Sequence, residues 1–339
     1  VKTATSIAGL LGLALLTALV VHQGVGGILA LLSKAGWALL LLVPFHALPL
    51  LLDVQGWRTL LAPRDPDGRA ALPFLFWVAT VREGVSRLLP AVGVGGEIVG
   101  IRLVKLRGLD GAATAASVIV EVLLTVTNQY IFTALGLVLL IAATSGTHLG
   151  WSILTGLVLS LPMPLVLGAL LRYGSVFERL EKLAEAMLGS RNVLAGLLGG
   201  SNLDAEIRAL YQHHGRLLAA LAWQLSGFIL GAFETWLALA LLGHEVGAAT
   251  AIAIEALTQA LRNLAFVVPA GLGVQEAGLV VFGGMAGIGT DVSISLSLAK
   301  RMRELLFGVP ALLSWQWVEG HRLRTALHRK SAAKAAGSS

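Results

Sequence analysis

The sequence contains no cysteine, which excludes disulfides, thiolate-held metals and cysteine nucleophiles. It is also short of charge: Asp, Glu, Lys and Arg make up 13% of its 339 residues, against 56% hydrophobic residues. Mean hydropathy is +0.81, far above that of a soluble domain, and several apolar runs approach the ~20 residues that cross a bilayer. Those runs do not alternate with period two, which removes a closed β-barrel and leaves helices as the spanning elements. Long polar segments are missing too; the largest, 172–216, is too small to house a soluble catalytic or nucleotide-hydrolysing domain. H-E-x-x-H, G-x-S-x-G and G-x-x-x-x-G-K-[ST] do not occur. The stretches G-V-G-G-E and G-L-G-V-Q-E lack the strand context of a phosphate loop. No enzyme activity, cofactor or metal is expected. The net charge of +6 and pI of 10.0 do not call for nucleic acid, because the basic residues gather at the ends of apolar runs, where membrane orientation accounts for them.

What is present is a pair of matched interruptions. Residues 87–97 read R-L-L-P-A-V-G-V-G-G-E, and residues 262–276 read R-N-L-A-F-V-V-P-A-G-L-G-V-Q-E. In both, Pro-Ala follows two apolar residues and a glutamate comes seven residues after the proline. Proline removes a backbone donor and glycine loosens a helix, so neither stretch is continuous helix. Pro90, Gly93, Gly95 and Gly96 mark the first break; Pro269, Gly271 and Gly273 mark the second. Unpaired backbone at membrane depth is tolerated only inside protein or beside a water-filled cavity. Matched breaks in two halves of a membrane chain point to a transport site. Two ordinary interhelical loops are the plainer alternative.

Six spans are expected, at 5–21, 34–52, 111–143, 151–171, 217–242 and 292–318. The first is read as a retained helix, being long for a signal peptide. Pro44 and Pro49 predict a kink in the second span, and Pro162 and Pro164 one in the fourth. A short piece, 25–32, suits the membrane interface. Residues 58–69, with P-R-D-P-D-G-R, are expected to be a loop. The insert 172–216 predicts a surface-lying amphipathic helix, then a Gly-rich separator and a second short helix at 203–214. The tail 319–339 is basic, then small and polar, and is expected to be disordered. The domain reading is one transmembrane domain, 1–318, with repeat-like halves at about 35–143 and 217–318.

Loop charge predicts orientation. Segments 22–33, 144–149 and 243–247 contain no Lys or Arg, whereas 58–69, 102–107, 172–216 and 319–339 are basic. The positive-inside rule puts the basic set, and both termini, on the cytoplasmic side. The chain between 58–69 and 102–107 must then return to the face it left, so 71–100 becomes a re-entrant hairpin. Residues 248–289 become a second hairpin, entering from the opposite face. The resulting fold class is an all-α polytopic membrane protein: about six spans and two opposed broken hairpins in an inverted repeat. Two full spans with a tight turn, in place of either hairpin, keep the same parity.

Ionisable groups at membrane depth cost about 2.5 kcal/mol or more each, so they are site candidates. These are Arg82, Arg87, Glu97, Glu121, Glu255, Arg262, Glu276, Arg301 and Glu304. Glu255, Gln259 and Arg262 share a helical face by i, i+4 and i+7 spacing. The alternative is internal pairing: Glu255 with Arg262, Glu83 with Arg87, and Glu304 with Arg301 or Lys300. Glu234 reads as an isolated helix-packing partner, and the histidines as surface residues. Helix ends at the breaks offer backbone N–H groups to an anion such as a lipid phosphate.

The motifs R-E-G-V-S-R-L-L-P-A-V-G-V-G-G-E (82–97), A-A-S-V-I-V-E (115–121), R-N-L-A-F-V-V-P-A-G-L-G-V-Q-E-A-G (262–278) and L-S-L-A-K-R-M-R-E-L (296–305) resemble the transmembrane family of lysylphosphatidylglycerol synthases. The nearest likeness is to its stand-alone, hopanoid-biosynthesis-associated, flippase-like members. The resemblance spans nearly the whole chain. It implies a bacterial inner-membrane protein that moves polar lipids, hopanoids or lipid-linked intermediates between leaflets, with membrane lipids and lipid- or hopanoid-biosynthesis enzymes as partners. A short basic tail stands where fused members carry an aminoacyltransferase, so aminoacyl transfer is not implied. Many members have an arginine in V-E-R-L-L where this chain has V-E-V-L-L at 120–124, so no role for that arginine carries over. Two other functions stay open from the residues themselves: an ion- or proton-coupled transporter of a soluble substrate, and a non-transporting scaffold for lipid enzymes.

Overall fold

The computed structural model describes residues 35–89, 95–144, 200–264 and 273–336, with the single positions 33, 155 and 169. The spans expected at 5–21 and 151–171, the interfacial piece 25–32, the surface helix within 172–199 and the breaks at Pro90, Gly93, Pro269 and Gly271 lie outside them. The described chain is all helical. A 3₁₀ turn, Gly36–Leu41, runs straight into α1 (Leu42–Leu61), then α2 (Leu72–Leu88), α3 (Gly95–Lys105) and α4 (Gly111–Thr144). After the insert come α5 (Gly200–Gln212), α6 (His214–Leu241), α7 (Ala248–Leu264), α8 (Val274–Met285) and α9 (Thr290–Ala336).

Among the described residues, three helical stretches are long and apolar enough to cross a membrane: Gly36–Arg64, Gly111–Ala142 and His214–Leu241. The protein is thus a polytopic helical membrane protein. The sixth expected span lies within α9, which is 47 residues long and carries Lys300, Arg301, Arg303 and Glu304 in its first third. Two boundaries differ from expectation. Helix α1 continues through Arg58 to Leu61, followed by a second 3₁₀ turn over Ala62–Arg64, so the polar loop is confined to 65–71. Its turn is closed by Asp65, whose carboxylate accepts the backbone N–H groups of Arg69 and Ala70 at 2.8 Å each. The tail is helical to Ala336, continuing α9 from the preceding span past Pro310 and Gly320.

In lipid there is no hydrophobic gain in joining two apolar helices, so close approach of backbones and polar pairs must hold them. This chain uses glycine at its main crossings. A Cβ on Gly56 would lie 3.1 Å from the Ala220 carbonyl, and one on Gly227 3.0 Å from the Pro49 carbonyl. Since 49 meets 227 and 56 meets 220, α1 and α6 run antiparallel. Helices α2 and α9 cross at Gly84 and Gly308, where a Cβ on the first would sit 3.1 Å from the second's carbonyl. Helices α4 and α7 cross at Gly136, against Ala256 and Ala253.

These contacts obey one rule. With α1–α4 as one half and α6–α9 as the other, the first helices pair with each other. The second helix of each half then packs on the fourth helix of the other. Antiparallel first helices with exchanged second and fourth helices are what an inverted repeat requires. The third helices, α3 and α8, pack back on α2 and α7 respectively. Buried Trp57, Leu60, Leu75, Val78, Val81 and Val104 fill the first half, with Ala311 of α9 completing that core.

Candidate functional site

Each half places an arginine on the helix before its break and an acceptor just after it. In the first, Arg82 of α2 forms an ion pair with Glu97 in the first turn of α3 and donates from Nη1 to Glu121 of α4, 3.0 Å away. In the second, Arg262 of α7 donates to Gln275 Oε1 at 2.6 Å, in the first turn of α8, and to Glu304 of α9 at 3.2 Å. The two sites therefore repeat one pattern: arginine before the break, acceptor after it, glutamate on the fourth helix. An unmatched buried charge costs several kcal/mol, whereas a pair with its remaining hydrogen bonds met is tolerable.

Local sequence explains why Arg82 reaches its partners. Gly96 and Gly100 lie one turn apart on α3, and Cβ atoms there would meet the Arg82 carbonyl with Ser86 Oγ, and the Arg82 side-chain Cδ, respectively. The missing side chains let α3 close onto α2 and leave a channel for the guanidinium. Trp57 of α1 forms the floor, its ring centroid 4.7 Å from the guanidinium carbon, while its Nε1 donates to Ser117 Oγ at 3.1 Å.

The second half is more heavily tied. Arg301 donates to Glu276 at 3.2 Å and to Glu304 at 3.0 Å, and Ser297 donates to Glu276 at 3.0 Å. Glu276 Oε2 and Gln275 Nε2, both buried, have no hydrogen-bond partner among the described residues. Gly273, at φ 77°, takes the left-handed conformation that starts α8 and that glycine adopts without strain. Lys300 pairs with Glu255, which also accepts from Thr235 at 2.5 Å and Gln259 at 2.9 Å. The expected Glu255–Arg262 pair does not form: Lys300 enters from α9, and Arg262, two turns along α7, turns to Gln275 and Glu304. The expected contacts of Glu83 with Arg87 (3.9 Å) and of Glu304 with Arg301 are present.

Between the two halves lies a third group of charges. His46 of α1 contacts Glu234 of α6 through Nδ1 at 2.9 Å and Glu83 of α2 through Nε2 at 3.0 Å. Arg303 of α9 donates to Glu234 at 3.0 Å and lies 3.5 Å from Glu83. Glu234 is thus not an isolated packing residue, and His46 is not a surface histidine. The usable signal for both was membrane depth, since each is an ionisable group inside an apolar run. Glu83, Gly84, Arg87, Glu304, Phe307 and Gly308 line a narrow crevice between α2 and α9, which brings Arg87 beside the fourth-helix glutamate of the other half. Each of the nine expected site residues makes a polar contact, Glu255 doing so apart from both arginine groups, with Lys300, Thr235 and Gln259.

A polar ladder continues along α4. Asn128 donates to Gln224 Oε1 at 3.2 Å, Gln224 to Thr125 Oγ1 at 3.2 Å, and Asn263 to Gln129 Oε1 at 2.8 Å. Among the described residues no His, Asp and Glu cluster has the arrangement to hold a metal ion.

The family model described as the lysylphosphatidylglycerol synthase TM region matches residues 6–311. No curated protein and no solved structure matches the chain.

Proposed function

This chain belongs to the lysylphosphatidylglycerol synthase transmembrane-region family, and from that premise we propose that it is a translocator of polar lipids, hopanoids or their intermediates among them. It works in the bacterial inner membrane with both termini on the cytoplasmic side, without catalysing a covalent reaction. The observation that carries the reading is the doubled site: Arg82 with Glu97 and Glu121, and Arg262 with Gln275 and Glu304, on antiparallel, cross-packed halves. Alternating access rocks one repeat against the other around a site at their interface, and an inverted repeat lines that site with equivalent groups from both halves.

Helix length supports re-entry. Helix α3 has 11 residues and α8 has 12, so at ~1.5 Å per residue each reaches only about 17–18 Å of a ~30 Å hydrocarbon layer. Arms that stop within the layer leave a wet, polar space for a headgroup, with acyl chains remaining in lipid. Arg87, the more exposed arginine at 38%, is suited to meet a headgroup phosphate first. The open donor Gln275 Nε2 is suited to hold it next, and the open acceptor Glu276 Oε2 to take a hydroxyl or ammonium of the same headgroup.

The test is leaflet exchange of a labelled polar lipid in liposomes holding the purified protein, compared with Glu97→Gln/Glu276→Gln. Exchange in the native protein that drops at least about tenfold in the double variant supports both activity and site; tenfold corresponds to ~1.4 kcal/mol. Equal exchange in both keeps the translocator and discards the site. No exchange with several lipid classes, hopanoids included, overturns the reading.

A further inference from the structure

The group centred on His46 has a feature that packing alone does not require. Its Nε2 lies 3.0 Å from Glu83 Oε2 and also 3.1 Å from Arg303 Nη1. A protonated ring nitrogen donates to a carboxylate and clashes with a guanidinium N–H; an unprotonated one accepts from the guanidinium and repels the carboxylate. One nitrogen thus has a waiting partner for each of its two states. The other nitrogen, Nδ1, is 2.9 Å from Glu234, an acceptor that keeps its hydrogen there in both states and fixes the neutral tautomer.

Every charged group that faces the ring comes from a different helix. Glu83, with Arg87 behind it, comes from α2, Glu234 from α6 and Arg303 from α9. The Phe307 ring closes the remaining side edge-on at 5.0 Å. Lys300, one turn before Arg303, is engaged by Glu255. With the imidazole charged, two carboxylates balance an imidazolium and one guanidinium. Without that proton the same four groups carry a net negative charge inside the protein. The His46 and Glu83 side chains keep 15% and 19% of their surface accessible.

We propose that His46 is a proton-binding site whose occupancy decides whether α1 is tied to α2 of its own half or to α9 of the other. Resting on the translocator reading, lipid movement is then coupled to proton binding. The charged ring donates to Glu83 and Glu234, holding α1, α2 and α6 together and pushing the Arg303 guanidinium toward Glu234 alone. The neutral ring accepts from Arg303, holding α1 to α9 and releasing Glu83 to Arg87. Since α2 and α9 belong to opposite halves, the exchange acts on the joint that rocking of an inverted repeat must move.

The experiment has a cargo-free arm and a transport arm. Histidine-labelled full-length protein in nanodiscs is titrated by nitrogen NMR, and His46→Gln identifies its signal among the eight histidines. Nε2 of His46 is expected to pass from N–H to bare nitrogen as the pH is raised, and Glu83→Gln is expected to move that midpoint. A His46 signal that holds one state throughout, or a midpoint untouched by Glu83→Gln, overturns the proton site. In liposomes, a one-unit pH gradient is expected to change native lipid exchange several-fold relative to its own symmetric-pH rate. In His46→Gln that ratio is expected to be near one. An unchanged ratio in the variant overturns the coupling. Titration in a protein that moves no lipid leaves the proton site standing and removes the translocator reading instead.

Discussion

Arg82 and Glu121 are 39 residues apart in sequence and 3.0 Å apart in space, and Arg262 and Glu304 repeat the relationship at 3.2 Å in the other half. In each case the arginine precedes a Pro-Gly break and the glutamate lies about a third of the way along the half's longest helix. Each arginine also bonds the first turn of the short helix after the break. The consequence is mechanical as well as electrostatic, since one guanidinium holds three segments at once.

Removing that guanidinium strands two carboxylates. Arg82→Leu is expected to destabilise the protein by about 3–5 kcal/mol, read as an earlier midpoint in denaturant-driven unfolding in detergent. Adding Glu97→Gln and Glu121→Gln to the same chain should recover most of the loss. A triple variant no better than Arg82→Leu would show that the pairs are incidental.

The Lys300–Glu255 pair allows a cleaner cycle because both partners are buried. Lys300→Met and Glu255→Gln should each cost about 3 kcal/mol or more, while the double variant should fall well short of the sum. Additive losses would mean that Thr235 and Gln259, not Lys300, satisfy the carboxylate.

Glycine positions divide sharply. Gly96→Ala places a methyl against the Arg82 carbonyl, a backbone atom that cannot step aside, and should cost about 1–3 kcal/mol. Gly284 in α8 faces open space, so Gly284→Ala should be neutral or stabilising by up to about 1 kcal/mol. Thermal melts of the two variants side by side check the contrast. Equal behaviour would refute the tight α2–α3 approach.

Trp57 both floors Arg82 and donates to Ser117. Trp57→Phe keeps a ring but drops the indole N–H, and should cost about 1–2 kcal/mol. Ser117→Ala on that background should then be nearly silent, whereas on the native background it should cost measurably more.

Much of this architecture was legible from residue order. Apolar runs gave α4 and α6 to within a few residues, and loop charge alone implied two opposed hairpins. The matched Pro-Ala and glutamate spacing led to both arginine sites. Partner choice was legible only within a helix, as for Glu83 with Arg87 and Glu304 with Arg301. Spacing rules along a helix see only neighbours one or two turns away on the same face, so they paired Glu255 with Arg262. The actual partner, Lys300, is 45 residues distant and is delivered by tertiary packing. His46 and Glu234 escaped for the same reason: each looks solitary in its own helix, and only the crossing of four helices makes them neighbours. Helix α1 also ran on through Arg58, because a lone basic residue near a helix C-terminus is favourable there and does not end it.

The cross-packing of α2 on α9 also bears on how the chain is made. His46 and Arg303 are 257 residues apart, and ribosomes add roughly 5–20 residues per second. The first half therefore spends roughly 10–50 s in or near the translocation machinery with Glu83 and His46 lacking the arginine that completes their group. Over that interval α2, an arm of 17 residues rich in charge at its end, has no fourth helix from the other half to lie against. Its early neighbours are then lipid, the insertion apparatus or a chaperone, and an orphaned first half becomes a recognisable substrate for membrane proteolysis.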